Sequence, residues 1–151
     1  MSKATLSVAV FLVLGIGAFL WNATRAPEPA GHTMTTPDLS QVAAGSPIVE
    51  VTVPAELSAN AEVGKRAFEA KCAACHGAAA AGQNGVAPPL VHKIYEPSHH
   101  SDMAFVMAAQ NGVRAHHWNF GNMPPIEGLT QGDVKMIATY VRELQRANGI
   151  N

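Results

Sequence analysis

Cys72 and Cys75 are the only cysteines of the 151-residue chain, and His76 follows the second directly, in the run KCAACHG at residues 71–77. Two thiols with two residues between them do one of three things. They shuttle a disulfide, they supply half of a tetrahedral zinc site, or they form two thioethers to a porphyrin whose metal the adjacent imidazole then reaches. A redox dithiol sits after a strand and inside a βαβ surround. Zinc asks for two more ligands at compact spacing, usually with more than two thiolates, which the other histidines make possible and not natural. The third chemistry is complete in the five residues themselves, since Cys-x-x-Cys-His is the attachment pattern of a c-type haem.

The segments that must position this motif read as helices and irregular loops. Ser58 or Asn60 can cap a helix through AEVGKRAFEAK that delivers the chain to Cys72. Ser101 can cap a second through DMAFVMAAQ, stopped by Asn111-Gly112. A third starts near Thr130 and runs DVKMIATYVRELQRA, with Val134, Ile137, Tyr140, Val141 and Leu144 at helical spacing. Met103, Met107 and Met136 read as core residues at packing positions on these helices. The βαβ surround of a redox dithiol is missing. Three helices also make too thin a core for the Gly-, Pro- and His-rich loops between them unless something apolar fills the middle, and both points favour a porphyrin.

Ahead of the helices, Lys3 precedes an uncharged run from Ala4 to Trp21, long enough to cover roughly 27 Å of hydrocarbon as a helix. A cleaved signal peptide has a shorter apolar stretch and a small-x-small cleavage site. Thr24-Arg25-Ala26 followed by Pro27 is a poor one, so residues 1–25 are expected to be an uncleaved membrane anchor, with the rest of the chain exported. Residues 26–57 carry Pro27, Pro29, Pro37, Pro47 and Pro54 and read as a linker. Within it, Ile48 to Val53 alternate like a strand; no second strand is evident to pair with them, so a strip laid over the domain is expected. Residues 58–151 remain for one small domain. The formal net charge of −1 leaves no basic stripe for DNA or RNA.

The domain resembles a class I c-type cytochrome over residues 59–147. The resemblance rests on Cys72-Ala73-Ala74-Cys75-His76, on Gly64 and Phe68 in the helix before it, on Ile137 and Tyr140 in the last helix, on Ala87-Pro88-Pro89-Leu90 after the motif, and on FGNMPP at residues 120–125. Ala87 departs from the family's glycine at that position. The resemblance implies an all-α fold, a small domain of three main helices wrapped around one covalent haem c, preceded here by the N-terminal transmembrane helix and the Pro-rich linker. It implies thioethers at Cys72 and Cys75, iron ligands at His76 and Met123, and a Pro88 carbonyl that takes the His76 ring proton. A thioether opposite an imidazole favours ferrous iron and fills the last open position, which makes an electron carrier and not an oxygen catalyst.

For function, the family implies single-electron transfer in the periplasm by an inner-membrane-anchored monohaem cytochrome, without bond chemistry of its own. The implied donor is a quinol-oxidising cytochrome bc complex, and the acceptor a terminal oxidase or periplasmic reductase. A permanent haem subunit of a larger redox enzyme, and a ligand-binding haem sensor, are the rival readings. Beyond His76 the chain has His32, His92, His99, His100, His116 and His117. The pairs His99-His100 and His116-His117 flank the second helix and are expected as polar loop residues near the haem rim, where some of His116, His117, Arg114 and Trp118 can donate to propionates; a plain surface position and a second metal site are the alternatives.

Overall fold

The computed structural model of the chain describes residues 12–17, 19–21 and 35–151, which divide into two units between residues 33 and 34. In the first unit, residues 12–17 and 19–21 are helical. No helix of the described residues is long and apolar enough to cross a membrane. Most of the anchor expected at residues 1–25, and the first part of the linker, lie outside the described residues.

The second unit is helical, and its described residues form no strand. Its elements are α1 (Ala59–Lys71), the single turn α2 (Ala73–His76), α3 (Asp102–Asn111) and α4 (Gln131–Ala147), with short 3₁₀ turns at Ala78–Ala80 and Lys93–Tyr95. Ser58 caps α1 by accepting from the Ala61 N–H at 3.2 Å, and its own hydroxyl and N–H donate to the Glu143 carboxylate at 2.6 and 3.1 Å, pinning the start of α1 to α4. Thr130 and Asp133 form a capping box on α4, and these hydrogen bonds hold the Asp133 carboxyl below its ordinary range. Ser101 precedes α3 without a capping side-chain bond.

Helices α1 and α4 cross at Gly64. A Cβ on that residue would stand 1.9 Å from the Met136 carbonyl oxygen, so only glycine lets the two backbones meet there. One turn further on, the Phe68 and Tyr140 rings pack at 5.7 Å between centroids, tilted by 56°. Around this contact gathers the main core, with Ala61, Ile137, Val141 and Leu144 buried. A smaller cluster of Val106, Ala109 and Val134 joins α3 to α4. Met103 and Met107 are not in either cluster. They are 48% and 51% exposed, because α3 packs Val106 and Ala109 against α4 and leaves both methionines off that contact.

The strip Ile48 to Val53 lies over the domain without strand pairing. Ile48 and Val49 donate to the Ala81 carbonyl at 3.1 and 3.2 Å, and Thr52 exchanges two hydrogen bonds with the Asn148 side chain. Val51 and Leu57 pack against the main core. Further back, Asn84 donates to the Val42 carbonyl at 2.6 Å. Residues 42–57 of the stretch read as linker are thus held on the domain surface.

The long loop between α2 and α3 is tied down from α4. Arg142 is buried at 6% exposure, and its guanidinium donates to Asp102 Oδ1 at 2.8 Å, to the Tyr95 carbonyl and Gln145 Oε1 at 2.6 Å each, and to the His100 carbonyl. Gln145 in turn donates to the Leu90 and Tyr95 carbonyls. Arg142→Met keeps the apolar stem and takes the guanidinium from the Tyr95, His100 and Gln145 acceptors. The variant should lose about 2–4 kcal/mol of unfolding free energy, read from the denaturant midpoint of the holo-protein; a loss below about 0.5 kcal/mol would mean that water replaces the guanidinium.

Candidate functional site

The Cys72–His76 turn is built at the end of α1, where Cys72 is the C-cap and its carbonyl accepts from the His76 N–H at 2.9 Å. A one-turn helix leaves its carbonyls without intrahelical donors. Gln83 supplies them, its amide nitrogen lying 2.8 Å from the Ala74 carbonyl and 3.2 Å from that of Cys75. The loop carrying Gln83 is closed by a pair of backbone bonds to Ala87. Ala87 stands outside the left-handed region of backbone space, which is why the turn forms with alanine there.

His76 is buried, and its Nδ1 stands 2.9 Å from the Pro88 carbonyl oxygen. A carbonyl only accepts, so the ring proton belongs on Nδ1 and the lone pair on Nε2. Burial lowers the His76 pKa, partly offset by the Pro88 bond, and the imidazole is neutral at pH 7. Cys72 and Cys75 are not joined to each other. Burial, and then the neighbouring Cys75, push the Cys72 thiol up to about 11, the opposite of the lowered pKa that a redox-active dithiol needs. Among the described residues no further ligand joins these three in a metal-sized group.

Met123 comes from the other side of the chain. Its N–H and carbonyl exchange 2.9 Å hydrogen bonds with Val113, two residues after the end of α3. Gly112 makes this pairing possible: its φ is +74°, and a Cβ there would stand 2.5 Å from the Met123 carbonyl oxygen. Asn122 accepts from the Ala115 N–H at 3.0 Å, closing the loop between the bridge residues.

These pieces enclose one cleft of about 610 Å³, lined by Cys72, Cys75, His76, Pro88 and Met123 together with apolar side chains that include Leu90, Phe105 and Ile137. The structure therefore brings together all five residues singled out from the sequence. The cleft is far larger than the gaps of a close-packed interior. Trp118 lines it too, buried at 6% exposure, and its indole N–H has no hydrogen-bond partner. Burial raises the Tyr95 phenol's pKa, and the Trp118 indole partly offsets the rise. A buried donor without an acceptor, in an otherwise apolar slot beside two thiols and a neutral imidazole, fits a flat apolar group that carries carboxylates at its edge.

His99, His100, His116 and His117 cluster at one end. His99 Nε2 and His117 Nε2 are 3.3 Å apart, and His100 Nδ1 donates to the Ile94 carbonyl at 2.6 Å. Burial, and also the neighbouring imidazoles, lower the pKa of His100 and His117. Of the sequence-expected rim group, His116, His117 and Trp118 line the cleft, and Arg114 does not. Sequence reasoning passed over Gln83, Arg142 and Gln145. Gln83 left no signal, being a polar residue in a loop. Arg142 and Gln145 did, since they follow Ala138 at helical spacing on a buried face.

The family model of cytochrome c matches residues 61–145. Comparison with curated proteins and with solved structures returns no match. With more than half of its length matched, and with the matched span holding every residue of the cleft motif, this chain belongs to the cytochrome c family, haem-based electron carriers whose single domain holds one covalently attached haem c.

Proposed function

We propose that the chain is a one-electron carrier with His76 and Met123 as the two axial ligands of its haem iron, tethered to the inner membrane by its N-terminal segment and working in the periplasm. The observation that carries this reading is that His76 and Met123 line the same cleft, with His76 Nε2 left free by the Pro88 bond. When bound, haem c supplies an iron that changes oxidation state by one electron. The protein's part is to fix both ligands, to exclude water with an apolar lining, and to leave Cys75 exposed at the mouth. Met107 and Val86, also at the cleft, are about half exposed and offer an apolar docking rim.

Lys65, Lys71, Lys93 and Lys135 are offset by acids elsewhere in a chain of net charge −1. Docking on that rim then depends only weakly on ionic strength. The partners proposed are a quinol-oxidising cytochrome bc complex as donor and a terminal oxidase or periplasmic reductase as acceptor. The test of the ligation is spectroscopic: the ferric protein shows the near-infrared methionine-to-iron band, and the ferrous protein does not take up carbon monoxide. Absence of the band together with rapid carbon monoxide binding replaces the carrier with a ligand-binding haem protein.

Trp118 provides a second test. Its unpartnered N–H is assigned to a propionate, whose negative charge it offsets. Trp118→Phe leaves that charge less compensated, stabilises ferric iron and lowers the potential by roughly 20–60 mV, the upper figure being tenfold in a one-electron equilibrium. A potential unchanged within error would show that the indole donates elsewhere.

A further inference from the structure

We propose that His99, His100 and His117 form a binding site for a divalent first-row transition-metal ion, zinc or copper, at the lip of the haem cleft. One ring nitrogen from each lies within 4.8 Å of the other two. The closest pair, His99 Nε2 and His117 Nε2, is 3.3 Å apart. An N–H hydrogen bond prefers about 2.9–3.0 Å. Two nitrogens bound at about 2.0–2.1 Å to one tetrahedral ion stand roughly 3.3 Å from each other. The 3.3 Å spacing is long for a hydrogen bond and matches that of two ligands sharing an ion.

The second contact of each ring supports the assignment. His100 Nδ1 gives its proton to the Ile94 carbonyl at 2.6 Å, so Nε2 keeps a lone pair, and a backbone carbonyl behind a ligating imidazole both orients it and makes it more basic. Arg142 holds the His100 carbonyl from below, fixing the backbone that presents the ring. His116 repeats the pattern with Nδ1 on the Arg114 carbonyl at 2.9 Å, its ring 4.3 Å from that of His117. It lies outside the group of three, and the fourth position is left to water. His99 is exposed and His117 half-buried, so side-chain rotation suffices to draw the third nitrogen in.

A haem contact does not account for the group by itself. His100, His116 and His117 line the cleft, whereas His99 does not. Four imidazoles crowded together are also poor neighbours once protonated, and an ion accepting their lone pairs turns that crowding into a ligand set. Imidazole nitrogen suits zinc and copper and does not suit magnesium or calcium, which take oxygen ligands.

The test uses the untagged full-length holo-protein, cleared of adventitious metal with a chelator, dialysed against zinc, washed and measured for zinc and iron together, the haem iron serving as internal standard. The wild type should retain about one zinc per iron, and the zinc K-edge absorption, well separated from that of iron, should report at least three imidazole nitrogens at about 2.0 Å. His99→Ala/His117→Ala should lose at least nine-tenths of the zinc, and His99→Ala alone, which leaves the cleft lining intact, should lose most of it with an unchanged visible haem spectrum, while His32→Ala retains it. No retained zinc in the wild type, equal retention in the double variant, or fewer than three imidazoles at the edge overturns the site.

Discussion

Met123→Ala lowers the reduction potential by on the order of 0.2 V, a fraction of the roughly 0.8 V that axial ligands command, and opens the ferrous iron to carbon monoxide. Under the proposed ligation the thioether is the softer of the two ligands and the one that favours ferrous iron, so its removal stabilises the ferric state. The variant is not expected to lose the loop. What seats Met123 is its own backbone, paired with Val113 at 2.9 Å in both directions, and alanine keeps those bonds. The near-infrared band disappears, carbon monoxide shifts the ferrous spectrum, and the potential measured by spectroelectrochemistry drops. Met107→Ala is the comparison, since Met107 also lines the cleft; its band and potential stay as in the wild type. A Met123→Ala protein with an intact band would move the sixth ligand to another residue.

How much of this was readable from residues alone differs by kind of interaction. Local signals carried the helices: Ser58, Thr130 and the Asn111-Gly112 stop lie where the helices begin and end, because caps act within one turn of the chain. The pair Gly64 and Phe68 was readable against Ile137 and Tyr140 only through the family resemblance, and the structure has them in contact. The exposure of Met103 and Met107 was not readable. Helical spacing says that residues share a side, and says nothing of which side faces the core when a short helix is apolar nearly all round, as DMAFVMAAQ is. Nor was the work of Gln83, a loop residue whose partners are the carbonyls of the motif turn; Arg142 was marked as buried by its helical spacing, while its partners, the Tyr95 and His100 carbonyls of a distant loop, were not. The four histidines were visible as two pairs; that they meet depends on the fold of the loops on either side of α3.

The largest loss of stability is expected from Gly64→Ala. A methyl group at this position has to occupy a point 1.9 Å from the Met136 carbonyl oxygen, 2.4 Å from its carbon and 2.9 Å from the Ile137 nitrogen. All three are backbone atoms of α4, so no side chain can rotate away and one helix has to move relative to the other by an ångström or more. That movement loosens the Phe68–Tyr140 contact and the burial of Ile137, and it costs about 3–5 kcal/mol, a large part of the 5–15 kcal/mol typical of a whole domain. It also reaches the cleft. Helix α1 runs directly into Cys72, and α4 lines the cleft through Val134 and Ile137, so separating the helices parts the anchor of the haem from the wall opposite it. Gly132→Ala is the internal control: it lies in the first turn of α4 with its nearest neighbour, Thr130 Oγ1, at 3.6 Å, and the better helix former should raise stability by a few tenths to about 1 kcal/mol. The two alanines therefore have opposite signs in denaturant midpoints followed through the haem spectrum. A Gly64→Ala protein within about 1 kcal/mol of the wild type would show that α1 and α4 do not meet backbone to backbone.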